Sequence, residues 1–231
     1  MDRLTIRNTA VASELNIKDT VLSLKRKGFF LLKRTFDVFF SLIGCIALLP
    51  IALVIKVSYL LSGDKHSIFF TQVRTGKNGE NFNLYKFRSM AIDNNVRDFS
   101  KEDQYTKVGK IIRKLSIDEL PQMINILKGD MSFIGPRPWI PEYYENMNVV
   151  QRHRCDVVPG ISGLAQVMGR NNISIFDKIN YDLQYVKNAS IFQDLKIIFL
   201  TIKTVFVHEG VNAGKSTIQN ELNDLKIQNN K

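Results

Sequence analysis

From Val38 to Ile55 the chain reads VFFSLIGCIALLPIALVI, eighteen residues without a charge. As one helix this run is roughly 27 Å long at 1.5 Å per residue, just short of a hydrocarbon core of about 30 Å. It begins too far into the chain for a secretory signal, and no small-residue cleavage pattern follows it. That leaves a buried helix of a soluble core, a single membrane pass, or a re-entrant helix. Pro50 interrupts the run, deleting one backbone hydrogen bond and favouring a kink. Lys25, Arg26, Lys27, Lys33 and Arg34 precede it, and Lys56 and Lys65 follow it. Positive residues favour the cytoplasmic side, so a single pass exports one basic flank, whereas a helix bent at Pro50 keeps both inside. The re-entrant form is therefore the expectation, with a single pass as the next reading. Asp37 at the entrance can pair with Lys33 or Arg34 on the same helix face.

Charge narrows the partners. Lys and Arg exceed Asp and Glu by 32 − 22 = 10 over 231 residues, and the pI is near 9.6. Such an excess suits nucleic acid, phosphorylated metabolites or an acidic membrane surface. The apolar run speaks against a soluble nucleic-acid binder. Cys45 and Cys155 fit no disulfide framework or zinc spacing, and the three histidines are scattered. Chemistry in this chain falls to carboxylates, phosphate-binding cations and a hard metal ion.

The expected fold is α+β: a helix-rich single domain with a small β-hairpin and an N-terminal re-entrant membrane helix broken at Pro50. Residues 1–30 read as a polar extension, 31–62 as the membrane helix, 63–210 as the main body and 211–231 as a frayed polar tail. "SIFFTQVR" and "NFNLYKFRSM" flank "TGKNGE" and predict the hairpin. Residues 91–107 read as a polar loop, "VGKIIRKL" as a helix, and "KGDMSFIGPRP" as loop. "PWIPEYYENM" leads into helix, and "VVPGISGLAQV" reads as an extended, turn-rich segment. Helices follow at 175–187 and 194–207, the second being either a core helix or an interfacial one. "EGVNAGKST" falls short of a P-loop, with only three residues between Gly210 and Gly214 where four are needed.

"KLSIDELPQ" sets Asp118 and Glu119 side by side in a basic neighbourhood. Pro121 is tolerated in a first helical turn, so a helix should start near Ile117 or Asp118. Ser116 and Glu119 then fit a capping box, a purely structural use of the acid worth about 1 kcal/mol. The chemical reading uses the same geometry. A helix N-terminus and Arg113 keep both acids ionised, and an ionised carboxylate can attack phosphorus or hold Mg²⁺. Anionic attack on a phosphate requires neutralising cations, for which Lys86, Arg88, Arg113, Arg137 and Arg170 are candidates.

In "KRTFDVFFSLIGCIALLP", "FFTQVRTGKNGENFNLYKFRSM", "IIRKLSIDELPQMINILKGDMSFIGPRP", "VPGISGLAQVMGRN" and "YVKNASIFQDLKIIFLTIKTV" the chain resembles the bacterial sugar transferases, the small monotopic phosphoglycosyl transferases. The matching stretches run from about Lys33 to Val207. The resemblance implies a re-entrant anchor on the cytoplasmic face of the bacterial inner membrane, and a cytoplasmic catalytic domain at 63–210. It implies transfer of a phosphosugar from a UDP-sugar to undecaprenyl phosphate, releasing UMP, as the opening membrane step of surface-glycan assembly. By the same match Asp118 is the nucleophile, forming a phosphosugar–aspartyl intermediate, and Glu119 binds Mg²⁺ or assists proton removal. Lys86, Arg88, Arg113, Arg137 and Arg170 would hold phosphates or uridine. Val158 and Leu164 depart from the basic and aromatic residues frequent at those places. The larger members carry several spans ahead of this domain, so the chain reads as the minimal unit with an added N-terminal arm. Which sugar is transferred, and the oligomeric state, are not written in the residues.

Overall fold

The computed structural model describes residues 24–91, 105–169, 173–207 and 218–229. These fall into two compact units, one built from Asp37–Val73 and Asn83–Gly129, the other from Met1–Phe36, Arg74–Phe82 and Asp130–Lys231. The first carries Asp118 and the second carries Arg137.

The long helix α1, Leu24–Leu61, runs through Pro50 without a break. The expected division into two helices at the proline is not seen. Packing explains how the helix tolerates it: Leu48, Ile51, Ala52 and Ile55, on both sides of Pro50, lie in one apolar core, which offsets the lost hydrogen bond. The helix also starts seven residues earlier than the expected boundary at 31, inside the supposed polar extension.

From Asp37 onward α1 has two faces. Asp37, Ser41, Leu48, Ile55 and Tyr59 are buried in the Asp118 unit. Gly44 continues the stripe, since a Cβ there would meet the Met123 side chain at 3.0 Å. The opposite stripe, with Phe39, Leu42, Ile46, Leu49, Leu53, Val57 and Leu60, is exposed at the three- and four-residue spacing of one helix face. The most apolar window of this helix has a mean hydropathy of 2.8 and is only 17% buried. It is long and apolar enough to cross a membrane, and it is not the buried helix of a soluble core.

The rest of the Asp118 unit packs on the inner stripe. Strands β1 (Phe69–Thr75) and β2 (Asn81–Phe87) form the expected two-stranded hairpin, of which Arg74–Phe82 belongs to the Arg137 unit. Its turn uses left-handed Asn78 (φ 57°) and Gly79 (φ 84°), conformations suited to these residue types. Helix α2, Lys107–Lys114, begins where Thr106 Oγ1 accepts from the Gly109 amide at 2.8 Å. A 3₁₀ turn, Ile117–Glu119, follows. Helix α3, Gln122–Lys128, ends at left-handed Gly129. Ile68, Phe87 and Ile112 join Leu48, Ile55 and Tyr59 in the core, with Ile117 and Leu120 packed against it.

The Arg137 unit centres on two short parallel strands, β3 (Ser132–Ile134) and β4 (Gly160–Ser162), in register Ser132 to Gly160 and Ile134 to Ser162. Both lie in segments read from sequence as loop or turn. Around them stand α4 (Pro141–Glu145), α5 (Val149–Arg152), α6 (Leu164–Met168), α7 (Ile175–Asn188) and α8 (Ile191–Val207). Ile134, Val157, Leu164, Tyr185, Val186 and Ile197 form the core, and Phe29 and Phe30 of α1 pack against it. While Ile197 is buried, Phe192, Leu195, Phe199 and Ile202 of α8 are exposed. This helix therefore serves the core on one side and shows an apolar stripe on the other.

The tail is not frayed throughout. Residues Ile218–Asn229 form α9, whose Leu222 and Leu225 are buried against Tyr143, Met147, Ile175 and Ile179. Glu221 fixes it in place, accepting from Tyr143 Oη at 2.7 Å and Lys178 Nζ at 2.6 Å. The P-loop-like segment at 209–217 and most of the 91–107 loop lie outside the described residues.

Candidate active site

Asp118 sits on the 3₁₀ turn between α2 and α3 and is 8% exposed. The capping box does not form: Ser116 adopts a left-handed conformation (φ 57°) and its side chain caps nothing. Glu119 is thus released from the structural task and pairs instead with Lys86, Nζ to Oε1 at 3.3 Å. Lys86 comes from β2, and Asn125 locks that strand to α3. Its Nδ2 donates to the Asn83 carbonyl at 2.7 Å and its Oδ1 accepts from the Tyr85 amide at 3.0 Å. A lone amide in the apolar run MINILK is the signal that could have marked it. Sequence reasoning passed over it.

Burial pushes the Asp118 carboxyl above its ordinary range, and the Glu119 charge adds to this, while Lys86 and Arg113 pull it back down. The sequence argument expected helix-terminus stabilisation to favour the anion. Desolvation outweighs it, because Asp118 lies on a three-residue turn and not in a helix that has aligned peptide dipoles. The result is a largely desolvated carboxyl whose charge is favoured by two nearby cations. Arg113 itself is exposed, with its guanidinium 4.9 Å from the Tyr105 ring.

Arg88 has another occupation. It is buried, donating from Nη2 to Asp64 Oδ2 and from Nε to the Ser67 carbonyl, both at 2.8 Å, and from Nη1 to the Met90 carbonyl at 3.2 Å. It also stacks on Tyr59 at 4.5 Å, and the Tyr59 hydroxyl donates to the Arg88 carbonyl. This pairing holds the Asp64 carboxyl down at about 2. The geometry commits Arg88 to joining α1 to β2.

The bacterial sugar transferase family matches residues 29–208. The chain belongs to that family. This transferase is 45% identical over 184 residues to the uncharacterized sugar transferase EpsL of Bacillus subtilis, covering 78% of this chain and 90% of that one. It is 36% identical over 197 residues to the exopolysaccharide production protein ExoY of Sinorhizobium fredii, covering 77% of this chain and 87% of that protein. It is 41% identical over 189 residues to a UDP-glucose:undecaprenyl-phosphate glucose-1-phosphate transferase of Klebsiella pneumoniae, covering 77% of this chain but only 40% of the longer relative.

The remaining candidates of the transferase divide as follows. Arg137, half-buried, lies after β3 in the other unit, where its carbonyl accepts from Arg154 Nη2 at 2.7 Å. Arg154 is a residue that sequence reasoning missed. It is buried, forms an ion pair with Asp182 at 2.7 Å, and its Cζ lies 3.7 Å from the centre of the Trp139 ring. Arg170 lies outside the described residues. At the membrane helix, Lys33 reaches Asp194 of α8 at 2.5 Å and not Asp37, Arg34 is half-buried, and Asp37 is buried.

No group of three or more His, Cys, Asp or Glu side chains able to hold a metal ion occurs among the described residues. Mg²⁺ commonly takes one or two carboxylates and fills its remaining positions with water and substrate phosphate. The adjacent acids Asp118 and Glu119 suit that mode of binding, and do not suit an all-protein cage.

Proposed function

We propose that this transferase moves a phosphosugar from a UDP-sugar to undecaprenyl phosphate, releasing UMP, at the cytoplasmic face of the bacterial inner membrane. The observation that carries the reading is the buried Asp118 beside Glu119, with Lys86 and Arg113 opposing its desolvation. A carboxylate Oδ of Asp118 attacks the donor's β-phosphorus. The bond from that phosphorus to the oxygen bridging the α-phosphate breaks, and UMP leaves with the electron pair. An oxygen of the acceptor phosphate then attacks the same phosphorus and expels the Asp118 carboxylate, giving a polyprenyl diphosphate sugar. Lys86 and Arg113 neutralise phosphate charge in both steps. Glu119 would hold Mg²⁺ shared with the donor's diphosphate, supplying further charge neutralisation there. The product suits the opening membrane step of surface-glycan assembly.

The fold supports a monotopic anchor. The inner stripe of α1 is covered by the Asp118 unit from Asp37 to Tyr59, and Phe29 and Phe30 are fastened to the other unit's core. A single pass needs about twenty residues surrounded by lipid, so the covered inner stripe favours the monotopic form. On this reading the outer stripe of α1 is the part that enters the leaflet.

Asp118→Asn should abolish UMP release from UDP-glucose or UDP-galactose, and radiolabelled donor should leave an adduct on Asp118 in the parent protein. Full turnover by Asp118→Asn rejects the nucleophile. For the anchor, Lys27→Cys and Ser67→Cys, placed in a protein lacking Cys45 and Cys155, should label from the same side. Labelling from opposite sides rejects it.

A further inference from the structure

The turn at 135–139, which follows β3, is held at every carbonyl from Pro136 to Trp139. The Pro136 carbonyl accepts from the Gly160 amide at 2.9 Å and the Trp139 carbonyl from the Thr75 amide at 2.8 Å. The Pro138 carbonyl accepts from Arg74 Nη1 at 3.4 Å. The remaining one, that of Arg137, accepts from Arg154 Nη2 at 2.7 Å. We propose that Arg154 is a positioning residue, which through this bond sets Arg137 to receive a phosphate group of a substrate. The inference deepens the transferase reading and rests on it for the phosphate.

Three observations select positioning over plain packing. The Arg154 guanidinium is fixed in every direction. Its Nε and Nη2 donate to Asp182 Oδ2 at 2.9 and 2.7 Å, and its Cζ lies 3.7 Å from the centre of the Trp139 ring. Nη2 carries two N–H groups, so one serves Asp182 and the other is left for the Arg137 carbonyl. Next, the turn has no slack. Prolines 136 and 138 fix their own φ, and a residue before proline is confined to extended conformations. A Cβ on Gly135 would meet the Val158 carbonyl oxygen at 2.5 Å, and one on Gly160 would overlap the Gly135 nitrogen. The two prolines also lack N–H groups, so recognition of an anion here falls on Arg137 itself, whose fork suits phosphate. Finally, stability alone gives no reason for the buried pair, because apolar side chains of similar volume serve as well or better. An aimed carbonyl does give one.

The test measures the affinity of the full-length protein, in detergent micelles, for two radiolabelled probes. UDP stands for the part common to every UDP-sugar, and geranyl phosphate for the head of the acceptor. Arg137→Ala should weaken one probe about tenfold or more, as for a hydrogen bond to a charged group, and the probe that weakens identifies the substrate. Arg154→Met combined with Asp182→Leu restores packing but leaves the Arg137 carbonyl without its donor. It should weaken the same probe about fivefold, part of the Arg137 loss, while its urea midpoint, read from Trp139, stays near that of the parent. Arg154→Lys, which keeps the charge without the fork, should weaken that probe likewise. Added to Arg137→Ala, either change should cost less than about twofold more. Full affinity in both Arg154 variants, equal losses with and without the Arg137 side chain, or no probe weakened by Arg137→Ala overturns the proposal. The expected coupling, together with no exchange of labelled UMP into UDP-glucose or UDP-galactose by the parent, overturns the transferase reading and leaves the positioning role standing.

Discussion

Replacing Arg154 with Met tests how strongly the buried ion pair supports the Arg137 unit. Arg154 donates twice to Asp182 Oδ2, at 2.7 and 2.9 Å, and both side chains are almost fully buried. Asp182 Oδ1 has no hydrogen-bond partner, so its charge depends on Arg154. Removing one member of such a pair costs about 3–5 kcal/mol, and the lost stacking on Trp139 adds about 1 kcal/mol. Set against a total stability of roughly 5–15 kcal/mol, this is a large fraction. Trp139 is the chain's single tryptophan and lies against Arg154, so its fluorescence reports urea unfolding of this unit directly. With a denaturant slope of about 1–3 kcal/mol per molar, the midpoint should fall by about 2 M. The loss should also shrink as the solution is acidified. Burial holds the folded Asp182 carboxyl above its ordinary range, with Arg154 opposing, and without Arg154 it rises further. The folded state then binds a proton more readily than the unfolded chain, whose Asp titrates near 3.9, so stability rises as the pH falls from neutral toward that value. Arg154→Met combined with Asp182→Leu should regain most of the deficit. A single variant within about 1 kcal/mol of the parent, or a double variant no better than the single, refutes the reasoning.

Because burial raises the Asp118 carboxyl, the acid limb of kcat/KM for the UMP-exchange half-reaction should lie above the ordinary aspartate value near 3.9. Lys86→Met removes the largest opposing charge and should move the limb higher still, whereas Lys86→Arg should leave it in place; identical limbs in all three proteins count against the assignment. Asn125→Leu strands the Asn83 carbonyl and the Tyr85 amide and should destabilise by about 2 kcal/mol or more, at 1–3 per orphaned group; hydrogen exchange at the Tyr85 amide should quicken, and unchanged protection would contradict the β2 clamp. Gly109→Ala ordinarily stabilises a helix by about 1 kcal/mol. Here the new Cβ would lie 1.9 Å from the Ser89 carbonyl oxygen, so thermal unfolding should instead show a loss of about 1–3 kcal/mol.

What the residues made legible were the features whose signal is local. The hairpin was readable because Asn78 and Gly79 permit positive φ between alternating apolar residues. The cationic surroundings of Asp118 were readable from composition and order. The capping box failed because Ser116 turned left-handed to connect α2 to a 3₁₀ turn, a choice made by the packing of Ile112, Ile117 and Leu120. Strands β3 and β4 escaped notice because each has three residues, too few to show an alternation, and they pair across 28 positions. Helix α9 was hidden by its polarity, with Leu222 and Leu225 its buried anchors. Arg88 and Arg154 look identical to surface cations in sequence; only the positions of Asp64 and Asp182 show them to be internal.

The inner stripe of α1 has a practical consequence for anyone handling this enzyme. Leu48, Ile55 and Tyr59 belong to the core against which Ile117, the residue before Asp118, is packed. Trimming away the greasy segment to obtain a water-soluble fragment would therefore dismantle the core that supports the Asp118 turn. Conversely, any amphiphile that preferentially coats the outer stripe of the native fold raises the cost of unfolding that core. A coating of that stripe thus acts as a stabilising ligand of the core beside Asp118.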